Sequence, residues 1–243
     1  MDEIEKFKKE KKENILLQGS NEQLKSTAIA FMNASIMSRY SYNFTWLGCP
    51  IIQYPQDMIA MQEIIWEVKP DLIIETGIAH GGSIIYYASI LELIGKGEVL
   101  GIDIDIREHN RIEIERHPMS KRIHMLQGSA IIDEIIEQVK TYVAGKNTVI
   151  VCLDSNHTHA HVLKELELYA PFVTVGSYLV AFDTIVEDLP ADLYKDRLWG
   201  VGDNPKTAVF EFLKKNKNFT IDKNIDHKLL ISVAPGGYLK RIK

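Results

Sequence analysis

The chain has 243 residues, 46% of them hydrophobic and 25% charged, a composition of ordinary globular proteins that excludes a disordered or fibrous chain. Its net charge of -5 offers no surplus of lysine and arginine to neutralise phosphates, so a nucleic-acid partner is not expected. Met1 to Asn14 alternates lysine with glutamate, and no window approaches ~18 consecutive apolar residues, so neither a secretory signal nor a membrane span is expected and the protein is assigned to the cytoplasm. Cys49 and Cys152 are too few for a disulfide framework and are expected to be reduced and structural. The length suits one α/β domain over 46–243, preceded by a helical extension over 1–45.

Along the chain, Pro55 to Val68 has helical periodicity and stops at Lys69-Pro70, because the residue before proline is pushed out of the helical region. Five short apolar runs then read as strands: Asp71 to Glu75, Val99 to Asp103, Ile123 to Gln127, Thr148 to Leu153 and Ser177 to Phe182. Helical segments separate them at Ile84 to Ile94, Glu108 to Arg116, Ile131 to Val143 and His159 to Tyr169. This alternation predicts βαβ crossovers and a doubly wound, mainly parallel sheet of seven strands, Rossmann-like in kind. After a helix at Lys206 to Lys215, Phe219 to Asp222 and Leu229 to Val233 read as an antiparallel hairpin turning at Asn224 to His227. Such a closing hairpin is the arrangement that S-adenosylmethionine methyltransferases share, although fold likeness alone is a weak warrant for chemistry.

The sharpest local signal is Glu75-Thr76-Gly77-Ile78-Ala79-His80-Gly81-Gly82-Ser83, between a strand and a helix. Gly77, Gly81 and Gly82 permit a tight turn and close approach of backbone to ligand, and Ser83 is placed to cap the helix. The pattern lacks the second glycine of G-x-G-x-x-G, which disfavours a dinucleotide. Glu75 at the strand's carboxyl end would repel a diphosphate but suits a sulfonium cofactor carrying an ammonium group. Asp103, ending the next strand, is the candidate to accept both ribose hydroxyls, with Asp105 as its competitor. Gly128-Ser129 follows the third strand at the same sheet edge, where Ser129 would border the adenine.

Asp154 and Asp183 each end a later strand, and a parallel sheet brings both carboxylates to that edge. Together with Thr184 or Glu187 they would make an oxygen site for Mg²⁺, able to lower the pKa of an acceptor hydroxyl and orient it. The alternative is that Asp154 caps the following helix and Asp183 begins a turn. His157, His159 and His161 cannot share one helical face, so a joint metal site is not expected. His157 is the candidate general base, a solvent-facing histidine in a helix's first turn being the alternative. His80 either touches the cofactor or flanks it. The segment from Thr184 to Pro205 lacks periodicity and suits a lid over the acceptor.

Trp46-Leu47-Gly48, Pro55-Gln56-Asp57, Pro70 to Gly77, Gly81-Gly82-Ser83, Gly101 to Asp105, Leu153-Asp154-Ser155, Pro205, Ala208-Val209 and Pro235 to Lys240 together resemble the cephalosporin-hydroxylase-like family, which also includes rhamnosyl O-methyltransferases. The resemblance implies an S-adenosylmethionine fold, a Mg²⁺ site carried by Asp154 and Asp183, a homo-oligomer, and acceptors among sugars and natural products. One departure is Phe182-Asp183, where some relatives carry Glu-Asp, which removes one acidic ligand. Methyl transfer to a hydroxyl is therefore the leading expectation. The alternatives are a non-catalytic cofactor-binding partner of a biosynthetic assembly and an oxidative hydroxylase. The second is disfavoured because no histidine is followed two residues later by Asp or Glu, the step that a non-haem iron site commonly uses.

Overall fold

The computed structural model describes residues 2–243. Two helices, α1 (Glu3–Ser20) and α2 (Glu22–Met37), come first. Asn21 joins them, its side chain accepting the Leu24 amide at 3.0 Å as the cap of α2. A small hairpin follows, β1 (Phe44–Trp46) against β2 (Cys49–Ile51), with Leu47 and Gly48 both at positive φ, the backbone of a tight hairpin turn. The expected boundary after residue 45 falls inside β1.

Helix α3 (Pro55–Val68) leads into β3 (Leu72–Thr76), α4 (Gly82–Ile94), β4 (Glu98–Asp103), α5 (Glu108–Arg116), β5 (Ile123–Gln127), α6 (Asp133–Val143), β6 (Val149–Leu153), α7 (His159–Tyr169) and β7 (Tyr178–Ala181). These five strands pair in parallel within a seven-stranded sheet of order β5-β4-β3-β6-β7-β9-β8. Successive side chains of a strand point to opposite faces, so the two cores divide each strand between them. Ile73, Ile150, Cys152 and Val180 join Ile65 of α3 and Ile84, Tyr87 and Leu91 of α4. Leu72, Ile74, Val149, Val151 and Leu153 join α6, α7 and the later α8 through Ile135, Leu166 and Phe212. Strands β3 and β6 are buried at every position, which is why both read as unbroken apolar runs.

The carboxyl-terminal end corrects one expectation. After α8 (Pro205–Lys215) and β8 (Phe219–Ile221), residues Lys223–Leu229 form helix α9, capped by the Asp222 side chain on the Asn224 amide. Leu230 to Val233 is irregular, and the partner strand is β9 (Tyr238–Arg241), inserted antiparallel between β7 and β8. The antiparallel close exists, but its second strand lies later than Leu229 to Val233. That segment instead lines up beside α3. Asp57, fully buried, accepts the Ser232 hydroxyl at 2.6 Å, the Val233 amide at 2.9 Å and the Tyr238 hydroxyl at 2.8 Å.

Candidate active site

The sheet order reverses between β4 on one side of β3 and β6 on the other, and the crevice beyond the strand ends at such a switch point is where open α/β sheets bind ligands. Residues Thr76, Ile102 and Leu153 lie in register, so the residues that follow them, Gly77, Asp103 and Asp154, emerge side by side. A cavity of about 900 Å³ opens there, lined by Gly77 to His80, Gly82, Ser83, Asp103, Gly128 to Ala130, Asp154 to His157 and Asp183 among others. Its volume is at the upper end for small-molecule sites and leaves room for two ligands.

Gly77 sits at φ +90, and a β-carbon there would lie 2.1 Å from the Asp154 carbonyl oxygen. The loop therefore packs backbone on backbone against the end of β6, and only glycine fits. Asp103 holds the loop from the other side: its Oδ2 accepts the amides of Ile78 at 2.8 Å and Ala79 at 3.2 Å, and its Oδ1 accepts that of Asp105 at 3.0 Å. Asp103 lines the cavity and Asp105 is exposed and outside its wall, which distinguishes the two candidates by position.

Ser83 was expected to cap α4, and it does not. Gly81, at φ +87, is the cap residue, while Ser83 lies in the first turn and donates to Glu75 Oε2 at 2.6 Å. Gly81 itself is off the cavity wall, pressed against Ile114. Glu75 is likewise behind the wall, 1% exposed, with Oε1 lacking any partner. Burial raises its pKa to about 8, against the Ser83 and Tyr87 hydroxyls that lower it. Ser83 and Tyr87, both of which face the cavity, stand between Glu75 and the crevice. Ser129 lines the cavity after β5, and His80 faces it with Nδ1 3.3 Å from the Asn110 side-chain oxygen.

At the far side, Asp154, His157 and Asp183 each present a ligand atom within 4.8 Å of one another. His157 Nδ1 is 3.3 Å from Asp183 Oδ2, and its ring packs 4.8 Å from Trp199. Burial, the charge of Asp183 and that of Glu75 push the Asp154 carboxyl well above the usual range. The capping alternative for Asp154 is excluded, since Thr158 is the cap of α7. Asp183 begins a turn as well as joining the cluster, its φ of 56 turning the chain into the short helix Thr184–Asp188. The third member of the cluster is His157, which precedes α7 and is neither in its first turn nor solvent-facing. Thr184 and Glu187 are committed elsewhere, Thr184 donating to the Pro235 carbonyl and Glu187 accepting from Gly202 and Asn204. Phe182, at the position of the acidic departure, is buried and borders the same cavity. The other two histidines of the run diverge: His159 faces Thr207 and Glu211 of α8, and His161 faces Ser155 and Glu165.

Residues Ile185, Leu193, Tyr194, Arg197 and Trp199 of the aperiodic 184–205 segment line the cavity. The opposite wall comes from 36–54, including Arg39, Tyr42, Gln53 and Tyr54. Sequence reasoning missed this wall. Its only traces in the sequence were Trp46-Leu47-Gly48 within it, which forms the β1–β2 turn, and Pro55-Gln56-Asp57 immediately after it, which opens α3 with a buried carboxylate.

A doubly wound sheet with this strand order, an antiparallel strand near its end and a glycine cradle at its switch point is the arrangement that S-adenosylmethionine methyltransferases share. The family model described as Rhamnosyl O-methyltransferase/CmcI matches residues 38–242, and the chain belongs to that family; it is an O-methyltransferase of the S-adenosylmethionine-dependent class. The rhamnosyl O-methyltransferase of Mycobacterium bovis (strain BCG / Pasteur 1173P2) is 31% identical over 201 residues, 81% of this chain and 78% of that one. That of Mycobacterium leprae (strain TN) is 33% identical over 147 residues, 60% and 62% of the two chains. CmcI solved with Mg and SAM superposes with a TM-score of 0.58 at 18% identity, covering 83% of this chain and 78% of that one. An O-methyltransferase from Bacillus cereus in complex with SAH gives 0.51 at 14% identity over 82% of each chain. At these identities the structural likenesses speak for the fold alone.

Proposed function

We propose that the chain transfers a methyl group from S-adenosylmethionine to a hydroxyl of a sugar or natural-product-like small molecule, assisted by Mg²⁺. The observation that carries the reading is the pairing, at one crevice, of a glycine-cradled loop over β3 and β4 with the Asp154, His157 and Asp183 cluster at the ends of β6 and β7. The residues fit the cofactor: Asp103 keeps acceptor capacity on Oδ1 for a ribose hydroxyl, Gly77 leaves the approach bare, and Ser83 with the orphaned Glu75 behind it answers an ammonium group. They also fit a hard cation, since two crowded carboxylates repel one another until a positive charge lies between them.

In this reading Asp154 and Asp183 hold the cation, which when bound supplies Lewis-acid polarisation of the acceptor hydroxyl. His157, oriented by Asp183 and Trp199, takes the hydroxyl proton as transfer proceeds. The 184–205 segment covers the acceptor and excludes water. Attack on the sulfonium methyl then needs mainly alignment, which the rigid strand ends provide. The rhamnosyl acceptor named for the relatives supports a sugar hydroxyl as the target. The same reading takes the chain as a cytoplasmic homo-oligomer with a helical extension over 1–45; among the described residues no helix is long and apolar enough to cross a membrane.

Methyl transfer measured for Asp154→Asn, Asp183→Asn and His157→Ala, with Mg²⁺ and with chelator, tests it. Loss of metal-dependent turnover in both aspartate variants is expected. Rates that are unchanged by the substitutions and by chelator would remove the metal-assisted mechanism.

A further inference from the structure

The cavity wall is divided by charge. Its carboxylates, Asp103, Asp154 and Asp183, stand at the strand ends, while its guanidinium groups, Arg39 and Arg197, are on exposed residues at the solvent end. They arrive from opposite ends of the chain: Arg39 follows α2 and Arg197 belongs to the 184–205 segment. Of the arginines away from this cavity, Arg107, Arg111 and Arg122 face carboxylates and Arg241 donates to backbone carbonyls, while Arg116 ends α5 exposed on the surface and off the cavity wall. Arg39 and Arg197 instead rest on aromatic rings, 6.0 Å over Tyr42 and 5.3 Å over Trp199, and among the described residues neither has a carboxylate within ion-pair distance.

We propose that the acceptor is an anion: its hydroxyl end lies at Asp154 and Asp183, and Arg39 and Arg197 bind a phosphate or carboxylate at its other end. The inference rests on the methyl-transfer reading and adds the chemical class of the acceptor. Guanidinium is the side chain whose planar fork matches phosphate and carboxylate, and stacking on a ring pre-orders that fork without using its donors. The polarity of the cavity then sets the direction of binding. An anionic group is repelled from the carboxylate end and drawn to the arginine end, which leaves the uncharged hydroxyls to reach the cluster. Trp199 links the two ends, touching Arg197 on one side and His157 on the other, so an anion that immobilises Arg197 also seats the ring against the candidate base.

Calorimetric titration of the protein saturated with S-adenosylhomocysteine and Mg²⁺ tests the proposal, with rhamnose 1-phosphate, thymidine diphosphate rhamnose, galacturonate and the neutral methyl rhamnoside as probes. At least one anionic probe is expected to bind on the order of 10-fold more tightly than methyl rhamnoside, the worth of a single charge-assisted hydrogen bond. Which anion leads separates a phosphate from a sugar acid as the source. Arg39→Gln and Arg197→Gln are each expected to erase most of that preference while leaving the affinity for S-adenosylhomocysteine unchanged. Equal binding of neutral and anionic probes, no binding of any anion, or a preference that survives both substitutions overturns the proposal. So does a loss confined to S-adenosylhomocysteine, which would assign the arginines to the cofactor's own carboxylate. Failure of S-adenosylhomocysteine to bind the unaltered protein would sink the methyl-transfer reading, and titration of the anions into the protein alone would still decide this one.

Discussion

Replacing Glu75 by glutamine probes the buried carboxyl behind the glycine loop. In the folded chain Glu75 keeps its proton up to a pKa of about 8, whereas a glutamate of the unfolded chain loses it near 4.5. Between those values the native state binds more protons than the unfolded state, so stability falls as pH rises. The stability is fully present below 4.5 and is lost as pH rises through about 8. At about 1.4 kcal/mol per pH unit, the window amounts to roughly 5 kcal/mol by pH 8 and about 3 kcal/mol at pH 7. Glutamine keeps an oxygen to accept the Ser83 hydroxyl and places an amide where Oε1 has no partner. Glu75→Gln is therefore expected to be more stable than the parent at pH 8, nearly equal to it at pH 5, and flatter in between. Urea unfolding of both proteins at half-unit steps from pH 5 to pH 8 measures this. Parallel curves for the two proteins would refute the reasoning.

Gly77→Ala would force a β-carbon to within 2.1 Å of the Asp154 carbonyl at positive φ, so it is expected to cost about 2 kcal/mol or more from the backbone alone and to abolish S-adenosylmethionine binding, read by calorimetry and thermal melting. Asp57→Asn would set an amide against one of the three donors that converge on Asp57; a loss of about 1–3 kcal/mol is expected by chemical denaturation. Trp199→Ala removes the ring packed on His157 and is expected to lower kcat/KM by roughly 10-fold with cofactor affinity intact, measured with tritiated S-adenosylmethionine.

Much of the sheet was legible because β3, β6 and β7 are buried on both faces and β4 nearly so, leaving apolar runs between helices of clear period. The helix boundaries at Pro55–Val68, Glu108–Arg116 and His159–Tyr169 follow the expected limits, the first because Lys69 before Pro70 leaves the helical region. The misplaced hairpin strand shows where that signal fails. Leu229 to Val233 is mostly apolar, like a strand, but Leu229 ends α9, the amides of Leu230 and Ile231 bond locally, and that of Val233 donates to Asp57 from far along the chain. The true strand, Tyr238–Arg241, carries a lysine and an arginine, whose stems are half-buried and whose heads lie over the rings of Tyr178 and Phe219, that of Arg241 also donating to backbone carbonyls.

At the site, residues that terminate strands were visible as acids or glycines following apolar runs, which is how Gly77, Asp103, Asp154 and Asp183 were found. Which side of a wall a residue occupies was not visible. Glu75 and Gly81 lie behind the cavity, and Ser83 faces it while donating inward. The 36–54 wall left no periodic signal, because its shape comes from a tight turn and contacts with distant helices.

The central claim, that a sulfonium nucleoside lies across the ends of β3 and β4 beside the Asp154 and Asp183 carboxylates, is tested most directly by a crystal structure grown with S-adenosylhomocysteine and Mg²⁺. The account predicts the ribose on Asp103, the amino group at Ser83, and the cation between Asp154 and Asp183. A nucleoside bound elsewhere, or a cation that avoids both aspartates, would contradict it.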